Sequence, residues 1–297
     1  MSFEIPGVLW RRDPPAKELP LVFDSPHSGA QYPEDFRFCC PFAVLRTTED
    51  AHVDALYAQA PDFGATLIAA LFPRSYIDPN RAVDDLDPAL FDGPWPTPLA
   101  PSHKTRAGLG LVRRVVRPGI PIYAGKLTRA DILARIEHCH APYHRALGET
   151  CERLHRRFGA VWHVNCHSMP SNRGPALRGK GHKLHADFVL GDRDGTTCAG
   201  EFTEFVAQFL RGRGYTVRVN EVYKGVEIVR RCGRPRENRH SLQIEVDRAL
   251  YMDQKTIEKN AGFADVAADI GCLIAALGEF VCARLTSQSA ILSRESL

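Results

Sequence analysis

The sequence predicts an α/β domain, and three observations carry that prediction. Short apolar runs alternate with longer segments of helical period, the pattern of a sheet covered by helices rather than of a sandwich or a bundle. The run 160–166 (AVWHVNC) is nearly continuous in apolar character, as expected of a central strand buried on both faces. No Pro/Gly/Ser-rich linker, internal repeat or heptad run divides the 297 residues, so 1–297 is expected to form a single domain.

Taken in order, 21–25 (LVFDS) and 65–71 (ATLIAAL) are strand-like, and helix-spaced apolar residues over 43–59 join them into a first β-α-β unit. Residues 86–121 are rich in Pro and Gly with little periodicity, and read as a long excursion over a site. A helix then begins at Thr128, a capping residue followed three positions on by Asp131. Pro142 within that helical pattern predicts a kink or a division. Beyond the strand at 160–166, residues 188–190, 215–219 and 242–246 are further strands. Helices are expected over about 197–210 and about 255–285.

Composition excludes several classes. Lys and Arg number 38 against 35 Asp and Glu, a net charge of +3 that by itself predicts no nucleic-acid binding. Nine Cys, an odd number that includes adjacent Cys39 and Cys40, make a poor disulfide framework and suit reduced thiols in a cytoplasm. The N-terminus, MSFEIPGVLWRRDPP, has no apolar core after a basic start, and the most apolar stretch, 271–283, is interrupted by Glu279. A cytoplasmic protein without a membrane partner is the expectation. Twelve His are more than chance supplies, so histidine is the residue whose role needs explaining.

Five constellations could carry chemistry. His27, in Asp24-Ser25-Pro26-His27-Ser28-Gly29, directly follows the first strand, and loops at strand ends in parallel sheets converge on a ligand crevice. Glu49 and Asp50 precede a helical segment, where capping and the helix dipole offer a purely structural account. His167 and Ser168 follow the buried strand. Two His and one carboxylate from separate element ends match the three-ligand, one-open-position set of a catalytic zinc centre. Glu245, in the apolar strand Gln243-Ile244-Glu245-Val246-Asp247, is costly to bury without a task, although a sheet-edge position would also explain it. Finally, Arg74-Ser75-Tyr76-Ile77-Asp78-Pro79-Asn80-Arg81 could grip a carboxylate or form an internal ion pair. The basic stretch 211–239 carries nine Lys and Arg, but interspersed acids and few aromatics favour a solvated surface over a nucleic-acid face.

In combination these motifs resemble the N-formylglutamate amidohydrolase family, within the zinc carboxypeptidase-like and aspartoacylase-like hydrolases. The matching stretches are SPHSGAQYP (25–33), EDAHVDALY (49–57), RSYIDPNR (74–81), NCHSMPS (165–171), DFVLGDRDG (187–195), NEVYKGVEIVRRCGRP (220–235) and HSLQIEVDRALYMD (240–253). The resemblance implies a central mixed, largely parallel β-sheet flanked by helices, of the zinc carboxypeptidase (phosphorylase/hydrolase-like) type. It also implies a Zn2+ site that cleaves N-formyl-L-glutamate to formate and L-glutamate. By the same resemblance His27, Asp50 and His167 would be the metal ligands, with Glu49 the alternative to Asp50. Glu245 would be the general base, Arg74 the oxyanion partner, and Asn80 and Arg81 the carboxylate grip, with Ser168 and Tyr223 also at the substrate.

Two departures are visible. Asn165 stands where relatives in histidine degradation often carry Asp, and Val222 and Val226 replace a Pro and a Gly of the family's turn. The second bears on which acyl-amino acid fits the site. Three readings follow: a deformylase of N-formylglutamate, a deacylase or carboxypeptidase-like hydrolase with the same site, or a nucleic-acid-associated protein using 211–239. The first expects a small anionic substrate and no nucleic-acid partner, and leaves homo-oligomerisation open.

Overall fold

In the computed structural model, which describes residues 2–171 and 186–295, one eight-stranded sheet organises the chain. The N-terminal strands β1 (Phe3–Ile5) and β2 (Leu9–Arg12) form an antiparallel hairpin at one edge, turned at Gly7 with φ +71°. Strands β3 (Leu21–Ser25) and β4 (Thr66–Ala70) follow, and a small separate hairpin, β5 (Val115–Arg117) and β6 (Ile120–Pro121), lies in the long excursion. The second half adds β7 (Val161–Met169), β8 (Phe188–Gly191), β9 (Val217–Val219) and β10 (Arg239–Asp247). The spatial order is β1-β2-β4-β3-β7-β10-β8-β9. The four central strands β4, β3, β7 and β10 are parallel, while β2 and β8 run antiparallel to their neighbours β4 and β10. The sheet is therefore mixed with a parallel centre, as expected.

Strand β7 is buried on both faces, but its sequence alternates instead of being uniformly apolar. Trp162, Val164 and Cys166 enter a core with Leu21, Phe23, Leu242, Ile244 and Val246, covered by helices α2 (Val53–Leu56), α6 (Gly200–Gly212) and α8 (Phe263–Glu295). The opposite face carries His163, Asn165 and His167, all at most 2% exposed. A second core on that side joins Val22, Ile68 and Val161 to α4 (Arg129–Arg135) and α5 (Ala141–Phe158). Leu273, Ile274, Leu277 and Val281 of α8 are fully buried against the sheet, although Phe263–Ser287 is long and apolar enough to cross a membrane. A buried core helix meets the same criterion.

Several expectations change in detail. The helix expected over 43–59 is two short pieces, α1 (Phe42–Arg46) and α2, because the intervening chain is drawn to the strand ends. There Asp50 N–H donates to the His27 carbonyl (3.0 Å) and His52 adopts φ +64°. The final helix begins at Phe263 rather than near 255, since the Asp253 carboxylate accepts from the Lys255 and Thr256 amides and holds that stretch in turns. Likewise α6 begins at Gly200, because Thr197 is bound by its hydroxyl to the Ser241 carbonyl (2.8 Å). The 86–121 excursion contains a short helix, α3 (His103–Arg106), besides its hairpin. The Thr128 capping box forms with Asp131 as expected. Pro142 is accommodated by a π-helical turn over Ile136–His140 between α4 and α5. The β1–β2 hairpin and helix α7 (Glu227–Cys232) were not expected from sequence.

Candidate active site

The parallel strands deliver the polar residues to one end of the sheet. His27 lies two residues beyond β3, Arg74 four beyond β4, and His167 and Glu245 occupy the last turns of pleat in β7 and β10. The β7–β10 register places Glu245 directly beside His167, and Gln243 beside Asn165. Gly29 lets the His27 loop pass close to the end of β4: a Cβ there would lie 2.2 Å from the Phe72 carbonyl oxygen.

His27, Asp50 and His167, all buried, bring one ligand atom each within 4.8 Å of one another. Hydrogen-bond partners surround both rings. His27 Nε2 lies 2.6 Å from Asp78 Oδ1, and His167 Nε2 lies 2.7 Å from Asn165 Oδ1. The Asn165 amide is oriented by donation of its Nδ2 to Asp24 Oδ1 (2.8 Å), so its carbonyl faces His167 Nε2, which also has Asn80 Nδ2 at 3.0 Å. The Nδ1 atoms of both rings then point at the same oxygen, Asp50 Oδ2, at 3.2 Å for His27 and 3.1 Å for His167. Three potential ligand atoms thus converge on one point, where Nδ1–H donors or a metal cation would bridge them. Two imidazoles and a carboxylate, each with a supporting partner, suit such a cation.

The second Asp50 oxygen is occupied by Arg248, whose Nη2 donates to Oδ1 (2.7 Å) while its Nε donates to Ser168 Oγ (3.1 Å). Burial alone would raise the Asp50 carboxyl, but His167, His27 and Arg74 hold it well below the usual range, so it is an anion. Asp78 is likewise buried and held low, chiefly by Arg74 and then His27. Arg74 donates to Asp78 Oδ2 (2.8 Å) and lies 3.7 Å from Asp50 Oδ1, so the alternative of an internal Arg–Asp pair in RSYIDPNR is realised. Glu245 is 6% exposed; burial raises its pKa and the Asp50 charge adds to this, against the pull of His167 and Arg74. Its Oε1 accepts from Gln243 Nε2 (2.9 Å).

Other residues singled out in the sequence divide between the cavity and the scaffold. Asn80 Oδ1 accepts from the Ile228 amide (3.0 Å) and its Nδ2 lies 3.0 Å from His167 Nε2, so this side chain spends most of its capacity inside the protein. Arg81 reaches Asp85 only at 3.4 Å and lines the cavity with Asn80, Ser168 and Tyr223. Glu49 is buried away from the three-residue cluster, its Oε1 accepting from Tyr32 Oη (2.7 Å) and Arg46 Nε (3.2 Å). The basic stretch is largely paired: Arg213 with Asp269, Lys224 with Asp194, Arg230 with Glu227 and Arg239 with Glu152. Of the remaining His, His182 and His185 lie outside the described residues.

Residues that sequence reasoning did not assign complete the picture. Arg248, in the Asp247-Arg248-Ala249-Leu250 segment, anchors Asp50. Asp24 gathers His163 Nε2, Asn165 Nδ2 and Tyr143 Oη on its two oxygens. Asp24 sits in an otherwise apolar strand beside the PHSG segment, the same signal of a costly buried carboxylate that drew attention to Glu245. The cavity above these groups has a volume of about 660 Å³ and is also lined by Lys104, Arg113 and Arg117.

The chain is similar to known proteins in sequence and in fold. Residues 19–252 match the family model described as N-formylglutamate amidohydrolase. An N-formylglutamate deformylase of Pseudomonas aeruginosa is 29% identical over 241 residues, covering 80% of this chain and 84% of the relative. One from Pseudomonas putida is also 29% identical, over 244 residues, covering 80% and 83%. The crystal structure of N-formylglutamate amidohydrolase from Ralstonia eutropha superposes with a TM-score of 0.89 at 50% identity, covering 93% of this chain and 98% of that one. A gene product of Agrobacterium tumefaciens, 17% identical with a TM-score of 0.65 over 94% of this chain and 96% of its own, shares the fold.

Proposed function

The chain belongs to the N-formylglutamate amidohydrolase family, and from that premise we propose that it hydrolyses the formyl amide of N-formyl-L-glutamate to formate and L-glutamate. The observation that carries the reading is the convergence of two imidazole Nδ1 atoms on one Asp50 oxygen, beside a buried Glu245, in a cavity rich in cations. His27, Asp50 and His167 would hold a metal ion, zinc by the nature of the donor set. When bound, that ion supplies Lewis acidity toward the formyl oxygen and lowers the pKa of a water.

The chain's own residues do the rest. Glu245, buried and with its pKa raised, takes a proton from the attacking water and returns it to the departing amino nitrogen. Asp78 and Asn165, in contact with the Nε2 atoms, hold the two rings with Nδ1 turned toward the centre. Arg74, tied to Asp78 and close to Asp50, presents a fixed positive charge toward the oxyanion as it develops. Arg81 receives the α-carboxylate, with Asn80, Ser168 and Tyr223 lining the same space.

The test is formate release from N-formyl-L-glutamate before and after treatment with a chelator, followed by zinc add-back. Activity lost to the chelator and restored by zinc is the expected result. Unchanged turnover after complete metal removal would contradict the metal assignment, and absence of formate from the metal-loaded protein would contradict the substrate. A panel of N-acetyl amino acids and dipeptides separates this reading from a broader deacylase or carboxypeptidase.

A further inference from the structure

The charges around the cavity do not balance. Its lining carries two carboxylates, Asp50 and Glu245, and Asp50 is already shared by Arg248, Arg74 and the two imidazoles. On the same walls stand Lys104 and Arg113, neither of which forms an ion pair with a described residue. Arg113 Nε is buried and has no hydrogen-bond partner among the described residues. An arginine offers five N–H donors, and leaving buried ones unpaired is costly unless a ligand supplies acceptors.

The chain holds Arg113 there deliberately in the physical sense: its loop is fastened at several points. The Asp78 amide donates to the Leu111 carbonyl (2.7 Å), and the Leu111 amide donates to the Asp85 carbonyl (2.8 Å). Leu109 and Arg113 pair backbones across the turn. Gly110 allows this approach, because a Cβ would lie 2.6 Å from Thr105 Cγ2 and 2.8 Å from the Asp85 carbonyl oxygen. Gly108, at φ +84°, provides the left-handed bend. Burial, then Arg74 and Arg81, bring the Arg113 pKa down to about 9 against the weaker pull of Asp78 and Asp50. Lys104 Nζ lies over the Tyr223 ring at 6.0 Å, on the same side of the cavity lining.

We propose that Arg113, assisted by Lys104, forms a second carboxylate subsite, which receives the side-chain carboxylate of a dicarboxylic N-acyl amino acid and so selects glutamate-type substrates over neutral ones. The proposal rests on the hydrolase reading above and adds the residues that distinguish a dianionic from a monoanionic substrate. One carboxylate of the substrate goes to Arg81; the other meets the planar guanidinium of Arg113, whose paired N–H groups match a carboxylate.

The experiment compares N-formyl-L-glutamate with N-formyl-L-glutamine, a substrate of nearly equal shape without the second charge, on wild type, Arg113→Leu and Arg113→Lys. Loss of this charge-assisted contact should lower kcat/KM of Arg113→Leu about 100-fold on formylglutamate but only about threefold on formylglutamine. Arg113→Lys should regain part of the preference. Turnover of formylglutamine reports that Arg113→Leu is folded, and glutarate should inhibit wild type far better than it inhibits this variant. Equal loss on both substrates, or none on either, would overturn the subsite while leaving the hydrolase reading intact. If wild type releases formate from neither substrate, the hydrolase reading itself is overturned, and the subsite with it.

Discussion

Glu245 is a carboxylate that folding alone would not keep. It sits in the sheet interior with one internal donor, Gln243, and burial raises its pKa. Glu245→Gln preserves shape and the sheet register but cannot accept a proton, so kcat should fall by about 10²- to 10⁴-fold with little change in KM, measured by formate release. The base must be deprotonated to act, and its pKa lies above the ordinary value for Glu. Activity should therefore fall as pH drops through that raised pKa, giving an acid limb that begins at higher pH than an exposed Glu would. Gly29 is the second residue with a sharp expectation. Gly29→Ala forces the His27 loop off the end of β4, where the Phe72 carbonyl lies 2.2 Å from the new Cβ, so the bound-metal stoichiometry, measured by elemental analysis, should fall. At this scale the sequence was informative in two ways: Glu245 is expensive to bury and was visible for that reason, while His27 and His167 were visible because they follow strand-like runs. Arg248 was not, because an arginine just past a strand resembles any surface cation until the fold shows Asp50 opposite it.

Helical elements brace the site from behind. The π-helical turn over Ile136–His140 and the start of α5 direct His140 and His144 to the 79–81 segment, where their Nε2 atoms lie 2.9 Å from the Arg81 carbonyl and 2.8 Å from the Pro79 carbonyl. Both rings must be neutral with Nε2 protonated, and burial lowers both pKa values, that of His144 to about 3. The folded pKa of His144 lies below its unfolded value, so the unfolded chain binds the proton first on acidification. Stability from this group is complete above about pH 6.5 and is lost as pH falls toward 3, by up to about 2 kcal/mol at pH 5. His144→Gln, which keeps a donor for the Pro79 carbonyl, should show a smaller loss between pH 7 and 5 in denaturant titrations of chelator-treated protein. Element boundaries were legible where local chemistry decides them, as at the Thr128–Asp131 capping box. They were illegible where tertiary bonds decide: the 43–59 period is real, yet the bond from Asp50 N–H to His27 interrupts the helix. Strand β7 shows a third case, since a polar face buried by its own network, His163, Asn165 and His167, resembles apolar sequence only in its burial.

Over the whole molecule, the parallel centre of the sheet was legible from the alternation of short apolar runs and helical periods. The β1–β2 edge was too short to register. The two cores on either side of the sheet divide the work: one, with α8, is almost wholly apolar, and the other carries the polar strand face that leads to the site. Leu277→Ala, fully buried in α8, should cost about 2–5 kcal/mol in denaturant unfolding while kcat of the remaining folded protein is unchanged. The basic stretch is largely paired, whereas the crevice gathers Arg74, Arg81, Lys104, Arg113, Arg117 and Arg248 around two carboxylates. Such a funnel draws anions in from beyond contact distance, so capture should slow as ionic strength rises. The same attraction acts on what is made there: both fragments of a cleaved formyl amino acid leave as anions, against the field that brought the substrate in, and their departure becomes the step that added salt speeds up.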